Sequence, residues 1–228
     1  MKIKKIWAVI FLFFSCFIHS LYGIPIITST ENQYSTYYYQ KKGLFEQLPN
    51  TEQEIIFLGD SITDGCDWAE LFQNINIKNR GISGDVTDGV LDRLNEVTES
   101  KPAKIFLMIG INDLARGRSV EYVLNNIKRI IKAIEKASPQ TEIFIQSILP
   151  VNPDFSMFPH HVSKSQEIIK INNGLKKICA HYELQYIDIY SHLTDKEQKL
   201  SPDYTNDGLH LTGAGYIIWG NILEKYIQ

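Results

Sequence analysis

Four short segments of this 228-residue chain bring together hydroxyl, carboxylate, imidazole and amide groups. The first, Gly-Asp-Ser-Ile at residues 59–62, ends an apolar run and so places Ser61 just after a predicted strand. A serine hydroxyl acts as a nucleophile when a base, an orienting carboxylate and donors for a developing oxyanion lie nearby. The competing interpretation is an ordinary turn or helix-capping serine, since serine is common at both places.

The last segment, Asp-Gly-Leu-His at residues 207–210, supplies a candidate base and a candidate orienting acid. A histidine accepts a serine proton only when one ring nitrogen is held and the other is free. Asp207, three residues before His210 on a predicted turn, is placed to hold it. The alternative is that Asp207 caps the following helix and His210 is incidental.

The two middle segments contain candidate oxyanion donors. Residues 79–84 (Asn-Arg-Gly-Ile-Ser-Gly) carry two glycines three positions apart, which let the backbone turn sharply and present N–H groups to a ligand. Residues 110–113 (Gly-Ile-Asn-Asp) place the Asn112 amide after a buried strand, where it could donate to an oxyanion or bond the local backbone. An ordinary strand-to-helix turn capped by Asp85 or Ser83 is the alternative for the first of these segments, but together the four segments supply every group that acyl transfer needs.

Alternating apolar runs and helix-period segments predict how these groups are positioned. Strands are predicted at residues 55–59, 75–79, 105–109, 143–148 and 184–189, and helices at 68–72, 85–98, 120–137, 165–182 and 213–227. This alternation is typical of right-handed βαβ units and a sheet covered on both faces. We therefore predict an α/β fold of three αβα layers, flavodoxin-like, with a mainly parallel five-stranded sheet. The loops that carry the four segments should meet at its carboxyl edge.

In order and separation, the four segments resemble the conserved blocks of the GDSL-type SGNH hydrolases, with Ile62 in place of the usual leucine. The resemblance extends over roughly residues 54–226. It is strongest to the branch that contains platelet-activating-factor acetylhydrolase-like enzymes and bacterial acetylesterases. It implies an SGNH hydrolase fold and a serine esterase that requires no metal and no organic cofactor.

The same resemblance implies a role for each site residue. Ser61 would be the nucleophile, His210 the general base and then the acid, and Asp207 the residue that orients His210. The backbone N–H groups of Ser61 and Gly84 and the side chain of Asn112 would form the oxyanion hole. From the residues themselves, the neighbouring Asp60 and Asp113 are interpreted as loop-fixing acceptors of backbone N–H groups.

The predicted function is the hydrolysis of short-chain oxygen esters, acetyl above all, on carbohydrates. An alternative within the family is a lysophospholipase or thioesterase, which an apolar pocket around Phe155 and Phe158 would favour. An alternative of another class is a non-catalytic glycan-binding module. The joint presence of a serine, an asparagine, an aspartate and a histidine suited to catalysis argues against the binding module.

Residues 1–23 have the pattern of an export signal, with three lysines before a short apolar segment at 6–18. About 13 apolar residues are too few to span a bilayer comfortably. A retained membrane anchor is the alternative, and Phe-Ser-Cys at 14–16 matches a lipoprotein site only weakly. We therefore predict export to the periplasm or the extracellular space, with no stable membrane partner.

The remainder of the chain divides into a 24–53 spacer and helix and a 54–228 hydrolase domain. The helix, predicted at 34–45, is rich in tyrosines that either pack on the domain or form a sugar-stacking platform. The net charge of −3 becomes −6 when residues 1–23, with their three lysines and no acidic residue, are removed. A mildly acidic chain without a basic tract argues against nucleic acid, so the expected partner is a small-molecule or glycan ester.

Four further residues near these segments invite a chemical interpretation. Cys66 is predicted to be a packed residue rather than a reactive thiol, and no cysteine has metal-ligand spacing. His160 and His161 are predicted to lie in a solvated loop rather than to bind metal. Trp68, beside the serine turn, and the loop after Pro150 are candidates for setting specificity.

Overall fold

The sheet is entirely parallel and has five strands in a computed structural model that describes residues 33–227. The strands are β1 (Ile55–Gly59), β2 (Ile77–Gly81), β3 (Lys104–Met108), β4 (Glu142–Gln146) and β5 (Gln185–Ile187). Their order is β2-β1-β3-β4-β5, and each neighbouring pair runs in the same direction. The predicted α/β class and five-stranded parallel sheet are confirmed.

Helices connect the strands and cover the sheet. They are α1 (Thr36–Phe45), α2 (Ser61–Asp64), α3 (Trp68–Leu71), α4 (Thr87–Asp92), α5 (Leu94–Thr98), α6 (Ile111–Ala115), α7 (Val120–Ala137), α8 (Pro159–Val162), α9 (Ser165–Tyr182), α10 (Tyr190–Leu193) and α11 (Gly213–Ile227). The three long helices α7, α9 and α11 have the predicted bounds. The segment predicted as one helix at 85–98 is two, because the backbone leaves helical geometry at Arg93 (φ −117°, ψ 11°).

The largest strand error concerns β2, which lies two residues later than predicted. Ile75 looks like a strand residue in the sequence but is 85% exposed in the turn before the strand. The strand instead continues beyond Asn79 to Arg80 and Gly81, and the side chains of Asn79 and Arg80 have partners on other elements. Strand β5 is also shorter than the predicted 184–189.

One face of the sheet carries a row of stacked aromatic rings. Phe57, Phe106 and Phe144 are in register on β1, β3 and β4, with ring centroids 5.0 and 4.5 Å apart. Trp68 stacks on Phe57 at 4.3 Å, and Trp219 of α11 meets Trp68 edge-on at 4.8 Å. The alternate residues on the opposite face are buried as well, so helices cover both faces.

The order of the strands determines where a ligand can bind. The chain passes from β1 to β2 on one side and then returns to β3 on the other. A crevice forms at such a switch point, beyond the carboxyl ends of the strands. Ser61 follows β1 and Asn112 follows β3, so the fold brings these two candidates to the crevice.

The proposed export segment at 1–23, and the start of the spacer that follows it, lie outside the described residues. Within residues 33–227, none of the helices combines the length and the apolar character needed to cross a membrane. Helix α1, which belongs to the spacer segment, packs on the domain through the buried Tyr38 and Phe45. The Tyr38 hydroxyl donates to the Gly89 carbonyl at 2.8 Å, whereas Tyr37 and Tyr39 stay about 40% exposed.

Candidate active site

Ser61 is the first residue of the short helix α2, at the carboxyl end of β1. The Asp60 side chain caps this helix by accepting the Ile62 N–H at 3.1 Å. A first helical residue has no intrahelical acceptor for its N–H, so that group of Ser61 remains available. The Ser61 side chain is half-buried, and its Oγ lies 3.0 Å from Nε2 of His210.

Asp207 holds His210 through two oxygens. Asp207 Oδ2 lies 2.8 Å from His210 Nδ1, while Oδ1 accepts the backbone N–H groups of Leu209 and His210 at 2.8 and 2.7 Å. Burial would raise the pKa of Asp207, but these hydrogen bonds outweigh it and hold the pKa below its usual value. Asp207 is therefore an anion at neutral pH, and His210 carries its proton on Nδ1 and leaves Nε2 free to accept one.

The turn between Asp207 and His210 depends on a glycine. Gly208 has φ +84°, and a Cβ there would lie 2.6 Å from the Asn152 carbonyl oxygen. The Gly208 carbonyl in turn accepts the Asn152 N–H at 2.9 Å. The loop after Pro150 thus supports the turn that carries the aspartate–histidine pair.

Asn112 bonds the backbone of Asp85, the residue that follows Gly84. Asn112 is buried after β3, and its Nδ2 donates to the Asp85 carbonyl at 2.9 Å. Gly84 is exposed with φ +78°, and Arg116 donates to its carbonyl at 2.8 Å. Within residues 33–227, the N–H groups of Ser61 and Gly84 have no protein acceptor, and one N–H of Asn112 Nδ2 is likewise unused. These three N–H groups are therefore left for a ligand.

The two aspartates interpreted as loop-fixing residues are both fully buried. Asp113 accepts the Thr87 N–H at 2.9 Å and the Thr87 hydroxyl at 2.7 Å, which ties α6 to the start of α4. Asp60 caps α2 by accepting the Ile62 N–H. Burial, opposed by the hydrogen bond from Ile62 and assisted by the charges of Asp85 and Asp113, raises the pKa of Asp60 to about 7. Both side chains face inward, so neither competes with Asp207 as the partner of His210.

A buried arginine behind the crevice was missed in the sequence. Arg93 Nε donates to Asp85 at 2.9 Å, and its two terminal nitrogens reach Glu96 at 3.4 Å and the carbonyls of Gly59 at 3.2 Å and Arg80 at 2.8 Å. Gly59 ends β1 and Arg80 lies near the end of β2, so one guanidinium joins the strand ends that carry Ser61 and Gly84. Its side chain is fully buried. The only indication in the sequence was the position of Arg93, a charged residue, within the helix predicted at 85–98.

We expect Arg93→Met to destabilise the fold by about 3–5 kcal/mol, since it leaves the buried Asp85 carboxylate without its charged partner and leaves Glu96 paired with Arg80 alone. Burial already raises the pKa values of Asp85 and Glu96, and Arg93 opposes this shift. The loss should therefore grow as pH rises and both carboxyls ionise without Arg93. Urea unfolding of the variant and the parent at pH 5.5 and pH 8 measures the loss in the free energy of unfolding. Lys132→Met on the exposed face of α7 is the matched control, and a loss for Arg93→Met no larger than this control contradicts the prediction.

Of four further residues near the site, Cys66 and His160 have the predicted surroundings, whereas Trp68 and His161 do not. Trp68 stacks on Phe57 and is only 1% exposed. It therefore contributes to the core and cannot contact a substrate. Cys66 is buried with a free thiol whose pKa burial raises to about 12, in agreement with a packed residue. His160 is exposed, but His161 is half-buried and bonded to Asn112, so the prediction of a solvated loop is wrong for His161. No group of three potential metal-ligating side chains occurs in the described chain.

Known proteins resemble this chain in sequence and in fold. Residues 57–218 match the model of the GDSL-like lipase/acylhydrolase family. The chain belongs to this family. It is 30% identical over 171 residues to platelet-activating factor acetylhydrolase IB subunit alpha2 of Rattus norvegicus, with 72% of each chain covered. It is 26% identical over the same length to the human alpha1 subunit, of which 71% is covered.

Two solved structures have the same fold as this chain. A GDSL-like lipase from Bacteroides thetaiotaomicron superposes with a TM-score of 0.74 at 25% identity, covering 83% of this chain and 96% of that one. An acetyl-xylooligosaccharide esterase from Geobacillus superposes with a TM-score of 0.63 at 18% identity, covering 79% and 96%, which supports the fold alone. Family membership makes this chain an acylhydrolase, a hydrolase of carboxylic esters.

Proposed function

We propose that this chain is an exported serine esterase that removes short acyl groups, acetyl above all, from oxygen esters of carbohydrates. The observation that carries the proposal is the continuous hydrogen-bonded series from Ser61 Oγ through the His210 ring to Asp207. Its outer end, the Ser61 hydroxyl, is accessible, whereas its inner end is a buried anion. This is the arrangement by which a neutral hydroxyl becomes a nucleophile at neutral pH.

The reaction has two halves. Ser61 Oγ attacks the ester carbonyl carbon while His210 Nε2 takes the hydroxyl proton, and the carbonyl π bond becomes an oxyanion. The N–H groups of Ser61 and Gly84 and the free N–H of Asn112 stabilise that charge. Collapse of the intermediate expels the alcohol, which takes the proton from His210 and leaves an acyl-serine. Water then repeats the sequence, with His210 again as base, and releases the carboxylic acid.

The acetyl preference is supported by the names of similar proteins. The curated relatives are acetylhydrolases, and one protein of the same fold acts on acetyl-xylooligosaccharides. A basic start followed by a short apolar segment at residues 1–23 supports export, and an exported enzyme meets glycan esters. The substrate that fits these points is a small-molecule or glycan acetate.

A second candidate is hydrolysis of longer acyl chains, as in a lysophospholipase or thioesterase. The observation that favours it is the apolar character of the loop beside the site. Phe158 lies edge-on to His210 with ring centroids 5.1 Å apart, and the adjacent Met157 is 67% exposed. An exposed methionine next to the catalytic crevice could line the path of an alkyl chain.

Acyl-chain length separates the two candidates. We expect kcat/KM for p-nitrophenyl acetate to exceed that for the octanoate by at least about tenfold, since a pocket shaped for a small group excludes a larger one. Acetate release from acetylated xylan, pectin and sialic acids then identifies the alcohol. A preference for octanoate would favour the lipid candidate. The assays are run on the culture fluid, periplasm and cytoplasm of cells expressing the full chain, and activity confined to the cytoplasm contradicts export.

A further inference from the structure

His161 lies next to the oxyanion donor that the proposed function requires. It is on the short helix α8, in the loop region after β4, and its Nε2 lies 3.0 Å from Oδ1 of Asn112. The two residues are 49 positions apart in the chain. This contact joins the segment after β4 to the segment after β3.

The second contact of Asn112 determines which atoms face each other. A carbonyl oxygen only accepts hydrogen bonds, so the Asn112 atom 2.9 Å from the Asp85 carbonyl must be the amide nitrogen. The amide oxygen must then face His161. An amide oxygen also only accepts, so His161 must carry its proton on Nε2. The Asp85 carbonyl therefore determines both the orientation of Asn112 and the tautomer of His161.

Packing holds the His161 ring in place. Phe158 meets it edge-on at 5.9 Å and meets His210 edge-on at 5.1 Å, so a single phenyl ring separates the two histidines. Burial lowers the pKa of His161, and the neighbouring His210, His160 and Arg116 lower it further. His161 therefore remains neutral while His210 gains its proton during turnover, and two imidazolium ions do not face each other.

We propose that His161 is a positioning residue for acyl transfer, which acts by fixing the Asn112 amide so that its unused N–H points at the oxyanion. The inference rests on the proposed esterase function and extends it to a residue outside the four sequence segments. A hydrogen bond accepted by Oδ1 polarises the amide and makes its remaining N–H a better donor. It also prevents Oδ1 from turning toward the developing negative charge.

A double-mutant cycle tests whether His161 acts through Asn112. We expect His161→Phe, which keeps an aromatic ring beside Phe158, to lower kcat for p-nitrophenyl acetate about tenfold with KM changed less than about twofold. Asn112→Ala alone should lower kcat by about 10²–10³. Adding His161→Phe to Asn112→Ala should then cost less than about twofold, since the group that His161 orients is already absent.

Two further variants separate hydrogen bonding from packing. His161→Gln retains an N–H donor of similar reach and should restore kcat to within about threefold of the parent. His160→Phe, at the exposed neighbouring position, should match the parent. A rescue by glutamine is not expected from a residue that only packs. Nitrogen-15 NMR of the imidazole should show His161 protonated on Nε2, a result that does not depend on turnover.

Different results overturn the inference and the proposed function. If the parent hydrolyses esters but His161→Phe costs the same factor with and without Asn112, His161 does not act through Asn112. The inference is also overturned if glutamine is no better than phenylalanine or if His161 is protonated on Nδ1 alone. Absence of ester turnover in the folded parent would instead reject the proposed function.

Discussion

Ser61→Ala should lower kcat for p-nitrophenyl acetate by about 10⁴–10⁶ while the protein remains folded. The substitution removes the only atom of this residue that lies 3.0 Å from His210 Nε2 and leaves the Asp207–His210 pair intact. Residual turnover would come from binding and oxyanion donors alone. Stability should change little, because the Ser61 side chain is half-buried and α2 is capped by Asp60 rather than by Ser61.

The assignment can also be tested by covalent labelling. A serine-directed fluorophosphonate should add once to the parent protein, at Ser61, and should not add to Ser61→Ala. Ser191→Ala, an exposed serine on α10, is the matched control and should keep full turnover and full labelling. Turnover by Ser61→Ala close to that of the parent would show that another group attacks the ester.

Asp207→Asn should lower kcat by about 10⁴, the second largest effect that the geometry predicts. Asp207 Oδ1 accepts the N–H groups of Leu209 and His210, so the asparagine oxygen is expected to keep that position. The asparagine nitrogen then faces His210 Nδ1 as a donor. Nδ1 must become the acceptor, which moves the histidine proton to Nε2, and a protonated Nε2 cannot take the proton of Ser61.

A matched control for this prediction lies in the same loop. Asp203→Asn makes the identical change at an exposed carboxylate four residues earlier and should leave kcat unchanged. The thermal unfolding of Asp207→Asn should stay close to that of the parent, since both backbone hydrogen bonds are retained. A decrease in kcat of less than about threefold would mean that His210 does not depend on Asp207 for its tautomer.

Local patterns in the sequence predicted most of the elements. The apolar run at 55–59 and the periodic helices at 120–137, 165–182 and 213–227 have the predicted bounds in the structure. Strand β2 was misplaced because the prediction stopped before Arg80, a polar residue that gains a partner elsewhere in the chain. The Arg80 side chain pairs with Glu96 at 3.1 Å.

The residues of the candidate site were also predicted from the sequence, whereas the contacts between them come from the structure. Ser61, Gly84, Asn112, Asp207 and His210 were found from the sequence because each belongs to a compact motif at the end of a predicted strand or just before a helix. The structure brings Ser61 within hydrogen-bond distance of His210 across 149 positions, and it links Asn112 to the backbone beside Gly84. Their catalytic roles remain predictions that the variants above test.

Residue types and local periodicity thus specified the fold class, the strands and the chemically capable loops, since these depend on neighbours within a few positions. The folded chain was needed to place Arg93 at Gly59, 34 positions away, and His161 at Asn112, and to place Trp68 in the core. The sequence around an arginine in a helix or a histidine in a loop does not indicate which group the side chain will contact. That partner depends on how distant elements pack, so these contacts become visible only once the sheet has brought the loops together.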